Sequence, residues 1–75
     1  MPGEDVTIKL SPAKALTLFE LLGRLIDQES LKLEHESERR VLCYLEASLE
    51  STLVEPLSPD YDRLVREARE QVMGE

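Results

Sequence analysis

Five consecutive residues, "EHESE" at Glu34–Glu38, bring one imidazole and three carboxylates together. Glu34 and Glu38 are one helical turn apart, a spacing at which two carboxylates can share a divalent ion. A zinc site of the usual kind needs three or four Cys or His ligands, whereas His35 and Cys43 are the only His and Cys of the chain. We therefore interpret the segment as the charged start of a helix, and we predict no metal site and no cofactor.

Other reactive side chains occur without the partners that catalysis needs. Cys43 falls on the polar side of a predicted helix, where an unactivated surface thiol is expected. Asp60 and Asp62 suit the first turn of a helix, because carboxylates there interact favourably with the helix dipole. The chain contains no phosphate-binding loop, no dinucleotide-binding glycine pattern and no nucleophile elbow. We predict no catalytic residues and no enzymatic activity.

The net negative charge argues against binding to nucleic acids and anionic membranes. Sixteen acidic residues against nine Lys and Arg give a formal charge of −7, the opposite of what binding to phosphate-rich partners requires. Arg63 and Arg66 are each followed by a glutamate four residues later, Glu67 and Glu70, so ion pairs within one helix are predicted. We expect no binding to nucleic acid or to a membrane.

The length and composition of the chain predict one small domain over residues 1–75. A chain of this size buries a modest core and is often stabilised by a disulfide, a metal or a partner. A single cysteine cannot form a disulfide within the chain, which leaves self-association. We find no signal peptide and no apolar run long enough to span a bilayer, and together with the free thiol this predicts a cytoplasmic protein.

The N-terminal part predicts a short β-strand. After a flexible tail at residues 1–4, the segment "DVTIKL" at residues 5–10 alternates, with Val6, Ile8 and Leu10 on one side. After the first helix, the connector at residues 28–36 has two interpretations that we leave open. It is either a second short strand at Leu31–Glu34 or a loop held by two leucines.

The first helix is predicted over residues 12–27, with Ser11 as N-cap and Pro12 as its first residue. Its apolar arc covers more than half of the circumference, so the helix should bury two sides, one against its own chain and one against something else. Gly23 at the edge of the arc permits close approach of another backbone. The centre of the arc comprises Ala15, Leu18, Phe19, Leu22, Leu25 and Ile26, with Leu16 and Leu21 as flanks. The outer face comprises Ala13, Thr17, Glu20, Arg24 and Asp27.

Two further helices are predicted over residues 37–54 and 59–73, separated by a hinge with two prolines. Pro56 ends the second helix, and Ser58 and Pro59 start the third. A connection of about four residues makes the two helices an αα-hairpin. The inward stripe of the second helix comprises Val41, Leu42, Leu45, Leu49, Thr52 and Leu53, with Tyr44 at its edge. The predicted fold is mainly α, with a minor β component.

Three segments resemble a set of small acidic bacterial proteins whose function is uncharacterised. They are "LSPAKALTLFELLGRL", "RVLCYLEASLE" and "VEPLSPDY", and the resemblance extends from about Ile8 to Arg69. These segments are characteristic of a fold and contain no site motif. The resemblance therefore implies neither an activity nor a ligand, and no functional residue is carried over from it.

We expect a homodimer in which the strand pairs antiparallel with its copy, because an unpaired strand edge recruits another strand. The predicted interface comprises Val6, Ile8, Leu10, Leu16 and Leu21. The alternative is that the strand pairs with Leu31–Glu34 and that the first helix is merely apolar. The function predicted is a non-enzymatic homodimeric protein-interaction module, which also binds an unidentified protein. The alternative function is an antitoxin or immunity protein that neutralises a basic partner by acidic mimicry.

Overall fold

The computed structural model describes residues 3–28 and 31–75; Met1 and Pro2 of the predicted tail lie outside the described residues. Three helices follow one another: α1 at Pro12–Asp27, α2 at Glu36–Thr52 and α3 at Tyr61–Gly74, with a 3-10 turn at Glu55–Leu57 before α3. The mainly helical class is therefore confirmed.

Helix α1 has the predicted bounds because its end signals are local. The Ser11 hydroxyl accepts a hydrogen bond from the Lys14 N–H at 3.2 Å, and Pro12 occupies the first turn. At the other end Gln28 is extended and its N–H donates to the Leu25 carbonyl at 3.2 Å.

The segment between α2 and α3 differs from the predicted hinge. Helix α2 ends at Thr52, because Leu53 is already extended, and Pro56 lies within the 3-10 turn. Helix α3 begins at Tyr61, two residues later than predicted. Ser58 does not cap it: the Ser58 hydroxyl accepts from the Asp60 N–H at 3.1 Å and forms a turn before the helix.

Both later helices pack mainly against α1. Along α2, Arg39 donates to the Ile26 carbonyl near the end of α1, whereas Leu53 packs against the cluster that contains Ala13 near its start. Helix α3 also runs opposite to α1, since Tyr61 at its start binds Glu20, whereas Gln71 near its end lies beside Pro12 at the start of α1.

The predicted αα-hairpin of α2 and α3 is therefore wrong. The two helices run in broadly the same direction on α1, and their mutual contact is at most marginal among the described residues. The physical reason is the length of the connection. Eight residues with a 3-10 turn separate Thr52 from Tyr61, which is enough chain to reverse direction twice.

The core is small and lies mostly between α1 and α3. Leu22 of α1 is also buried, as a separate site. The main buried cluster comprises Ala13, Leu16, Val65 and Ala68. Four partly buried residues pack against it: Leu53, Tyr61, Leu64 and Val72. Ala13 was predicted to face outward; it is buried because its small side chain lets α3 approach closely.

The predicted strand at residues 5–10 is wrong for the described chain, which contains no strand between Gly3 and Leu10 or between Leu31 and Leu33. A strand requires a partner for its backbone hydrogen bonds, and residues 3–10 are exposed throughout. Leu31 and Leu33 are half-buried without strand structure, which supports the interpretation as a loop. Within the described residues, no helix has the length and apolarity that a bilayer span requires.

Candidate interaction surface

Residues 3–10 form an exposed arm without helix or strand before α1, and this arm carries three of the five predicted interface residues. Val6 and Ile8 are 87% and 75% exposed, and Leu10 is also exposed. If the arm pairs as a strand, the alternation in the sequence places these three on one edge. A single copy of the chain leaves Val6 and Ile8 largely uncovered and Leu10 partly so, and all three are accessible to a partner.

The other two predicted interface residues are separated by the fold. Leu16 is only 3% exposed because it packs in the core against α3, so its assignment to a dimer interface is wrong for this conformation. Leu21 remains exposed. The wide apolar arc of α1 is used largely within the chain, since α1 contacts both α2 and α3.

A second exposed apolar surface lies on α2. Tyr44 and Val41 are 74% and 63% exposed, although Val41 was predicted to face inward. Val41 is at the edge of the predicted stripe, and among the described residues α1 is the only helix in substantial contact with α2. The exposure of Val41 was therefore missed, although its position at 100° spacing already marks it as marginal.

The "EHESE" segment caps α2. The Nδ1 atom of His35 accepts from the Ser37 N–H at 3.0 Å, which requires a neutral ring with Nδ1 unprotonated. A Glu38 carboxylate oxygen accepts from the N–H groups of Glu34 and His35, at 2.6 Å and 3.4 Å. This is a capping box with His35 in the position that Ser or Thr usually takes. The described residues contain no group of three or more metal-ligating side chains arranged around one point.

Cys43 is exposed and lies on the same open depression as His35. The two residues are eight positions apart, which corresponds to about 12 Å along the helix axis. This separation is too long for the imidazole to take a proton directly from the thiol, which requires hydrogen-bond distance. The arrangement therefore does not form a Cys–His nucleophile.

Tyr61 links α3 to α1 through a polar contact beside the core. Its hydroxyl donates to a carboxylate oxygen of Glu20 at 2.9 Å, and the other oxygen of Glu20 pairs with Arg24 at 3.3 Å. Burial of the ring, and then the hydrogen bond to Glu20, raise the pKa of Tyr61 to about 12. The contact positions α3 and leaves the phenol protonated at neutral pH.

The arginines of α3 are partly explained by ion pairing. Arg63 contacts Glu67 at 3.1 Å and Asp60 at 3.3 Å, and its hydrogen bond to Asp60 is the main cause of the raised pKa of Arg63. The predicted pair with Glu67 is confirmed. The predicted pair between Arg66 and Glu70 does not form in the described structure.

A shallow groove of about 190 Å³ runs between the first half of α1 and α3. Its floor is apolar, with Ala13, Leu16 and Ala68, and Glu55 and Glu67 stand at its rim. A groove of this size accommodates a few side chains, less than a small-molecule pocket of about 300 Å³ or more.

Comparison with known proteins gives no relative: no protein-family model, no curated protein and no solved structure matches this chain.

Proposed function

We propose that this protein is a non-enzymatic protein-interaction module that works as a homodimer. One observation carries the proposal: a single copy has far more exposed surface than a compact chain of its mass. The accessible surface is 6361 Å², whereas a compact monomer of this mass exposes about 4,700 Å². The difference is roughly twice the ~800 Å² that one partner contributes to a standard interface.

Two further properties support this proposal. The radius of gyration is 13.9 Å, against roughly 11 Å for a compact domain of this length. No large side chain among the described residues is completely buried. A monomer of this kind has little core to offset the conformational entropy of folding, so a second copy is the plausible source of additional burial.

The arm supplies the contact proposed for the dimer. The backbone of the arm is exposed and belongs to no helix or strand, so it can pair with an identical arm about a two-fold axis, with Val6, Ile8 and Leu10 on one edge. The antiparallel pairing that the sequence predicts would satisfy the backbone groups of both arms. Leu21 of α1 is the other exposed apolar residue assigned to the interface.

The non-enzymatic character is supported by what the reactive side chains do. His35 and Glu38 cap α2, and Glu20 and Tyr61 bind each other. These groups hold helices in place, which gives each of them a role in the fold.

The arm is tested by two substitutions that each add one negative charge to neighbouring exposed positions. Ile8→Asp places the charge on the apolar edge, and Thr7→Asp places it on the opposite edge. We expect Ile8→Asp to weaken the dimer strongly and Thr7→Asp to leave it nearly unchanged, as measured by sedimentation equilibrium. Equal behaviour of the two variants would contradict the arm contact.

The interaction role is tested by affinity capture from the native lysate with wild type and Ile8→Asp. A module that works as a dimer retains its partner as wild type and loses it as Ile8→Asp. Recovery of a small basic protein by both forms alike, with release by salt, would instead favour neutralisation by acidic mimicry.

A further inference from the structure

The outer face of α2 is a stripe with an unusual composition, and all of its members except the half-buried Ser48 are exposed. At 100° per residue, its members lie within one side of the helix, opposite the residues that contact α1. The stripe comprises Ser37, Arg40, Val41, Tyr44, Ala47, Ser48 and Ser51. It spans about 21 Å at 1.5 Å per residue, and Tyr44 and Val41 are its large exposed side chains.

None of the four glutamates of α2 lies within the stripe. This matters because the chain carries a formal charge of −7, so two copies that meet through most other surfaces bring like charges together. Arg40, within the stripe, and Glu50, outside it, lie on the same flank of α2. Neither forms an ion pair with another described residue.

The hydroxyl groups along the C-terminal half of the stripe are already satisfied. Ser48 donates to the Tyr44 carbonyl at 2.9 Å, and Ser51 donates to the Ser48 carbonyl at 2.9 Å. Such bonds to the helix backbone leave few polar groups to desolvate when the face is covered. Alanine and serine also permit close approach of another helix.

We propose that the outer face of α2 packs against the same face of a second copy, antiparallel about a two-fold axis that crosses this face beside Tyr44. This inference rests on the proposed homodimer and identifies a helix contact within it. In this arrangement Arg40 of each copy lies opposite Glu50 of the other, because residues on the same flank face each other in an antiparallel helix pair. Two symmetric ion pairs then flank the Tyr44 side chains, which supply the apolar centre of the contact.

The arm and the α2 contact are compatible in one dimer. Leu53, just after α2, packs against the cluster that contains Ala13 at the start of α1, so the arm begins close to the C-terminal end of α2. Its eight residues reach up to about 26 Å when extended. The arm is therefore long enough to reach across an α2–α2 contact to the other copy.

A charge-swap experiment on the full chain tests this contact. Arg40→Glu alone and Glu50→Arg alone each turn two attractive pairs into repulsive ones, and we expect the dimer dissociation constant to rise roughly tenfold. The double variant Arg40→Glu/Glu50→Arg restores the pairs, so its dissociation constant should return to that of wild type. Within one copy the two residues are about 15 Å apart along the helix, so restoration reports a contact between copies.

A second pair of variants tests the apolar centre. Tyr44→Glu should raise the dissociation constant on the order of 100-fold, because the substitution acts in both copies at the middle of the contact. Gln71→Glu adds the same charge to an exposed position of α3 and should leave the constant unchanged. Circular dichroism checks that each variant keeps the helical content of wild type.

The outcomes separate this contact from the dimer itself. If wild type is a dimer that Ile8→Asp dissociates, while Tyr44→Glu and Arg40→Glu dimerise as wild type does, the α2 contact is wrong and the proposed dimer stands. If the double charge swap stays as weak as the single variants, the antiparallel register is overturned. If wild type is a monomer, both the α2 contact and the dimer are overturned.

Discussion

Tyr61 links α3 to α1 through both its ring and its hydroxyl group. Its ring packs beside the small core, and its hydroxyl reaches across to Glu20 of α1. Arg24 holds the Glu20 carboxylate from its other side. One phenol thus connects α3 to α1, and it does so only while it keeps its proton.

This dependence gives a prediction for Tyr61→Phe. The folded pKa of Tyr61, about 12, lies above its ordinary value of 10.0, so the stabilisation is complete below about pH 10 and is lost as the pH rises towards 12. At pH 8 the substitution should lower the free energy of unfolding by about 1 kcal/mol, and the difference should shrink above pH 10. Urea denaturation of both forms across this pH range measures it, and a difference that is constant with pH would contradict the assignment.

Ser11 and Ser58 form a second comparison between single residues. Ser11 accepts from a helical N–H at the start of α1, whereas Ser58 accepts from Asp60, which precedes α3. Ser11→Ala should therefore cost about 1 kcal/mol of unfolding free energy, and Ser58→Ala should cost less. Thermal or urea unfolding of the two variants checks the order; a larger loss in Ser58→Ala would show that Ser58 is the more important cap.

At the level of elements, α1 is the centre of the fold because α2 and α3 both pack against it. Gly23 lies within α1 on the side facing α2. An added Cβ would come within 3.3 Å of a carboxylate oxygen of Glu46 and of no backbone atom outside α1. The predicted close approach of another backbone at Gly23 is therefore wrong: the neighbour is the end of a flexible side chain.

Gly23→Ala should stabilise the protein. Alanine in a helix interior is favoured over glycine by about 0.5–1 kcal/mol, and the Glu46 carboxylate can move by the few tenths of an ångström required. The free energy of unfolding, measured by urea denaturation, should rise by about that amount. A decrease would mean that the Glu46 side chain cannot make this shift.

The sequence predicts these elements best where the signals are local. The bounds of α1 follow from the Ser11 cap and Pro12, which act within one turn. The start of α3 was predicted too early because Ser58 and Pro59 form a turn as readily as a helix start, and only the structure shows which occurs. The hairpin was wrong because the direction of α3 depends on where Tyr61 and Val65 meet α1, a contact between distant parts of the chain.

For the candidate interaction surface, the sequence predicts the exposed apolar residues of the arm, but it misplaces Leu16 of α1 and Val41 of α2. Alternation in the arm places Val6, Ile8 and Leu10 on one edge, and these residues are exposed. The wide apolar arc predicts that two sides of α1 are buried, but it does not show which parts of the protein cover them. Leu16 was therefore assigned to the interface, whereas α3 of the same chain covers it. The exposure of Val41 on α2 was missed because its spacing predicts a core position, and only the number of helices packed around α2 shows that it is uncovered.

For the whole molecule, the central feature is a large surface around a small core. Five hydrophobic residues are buried among those the structure describes, which is little for a chain of 75 residues to rely on alone. Association of two copies would cover apolar residues of the arm and of α2 together, and it would make stability depend on protein concentration.

The molar mass in solution tests this account most directly. Sedimentation equilibrium of wild type over a dilution series from micromolar concentration should give twice the chain mass of 8.6 kDa, decreasing towards the chain mass only on strong dilution. A constant mass of 8.6 kDa throughout the series, with a cooperative unfolding transition that does not depend on concentration, would contradict it.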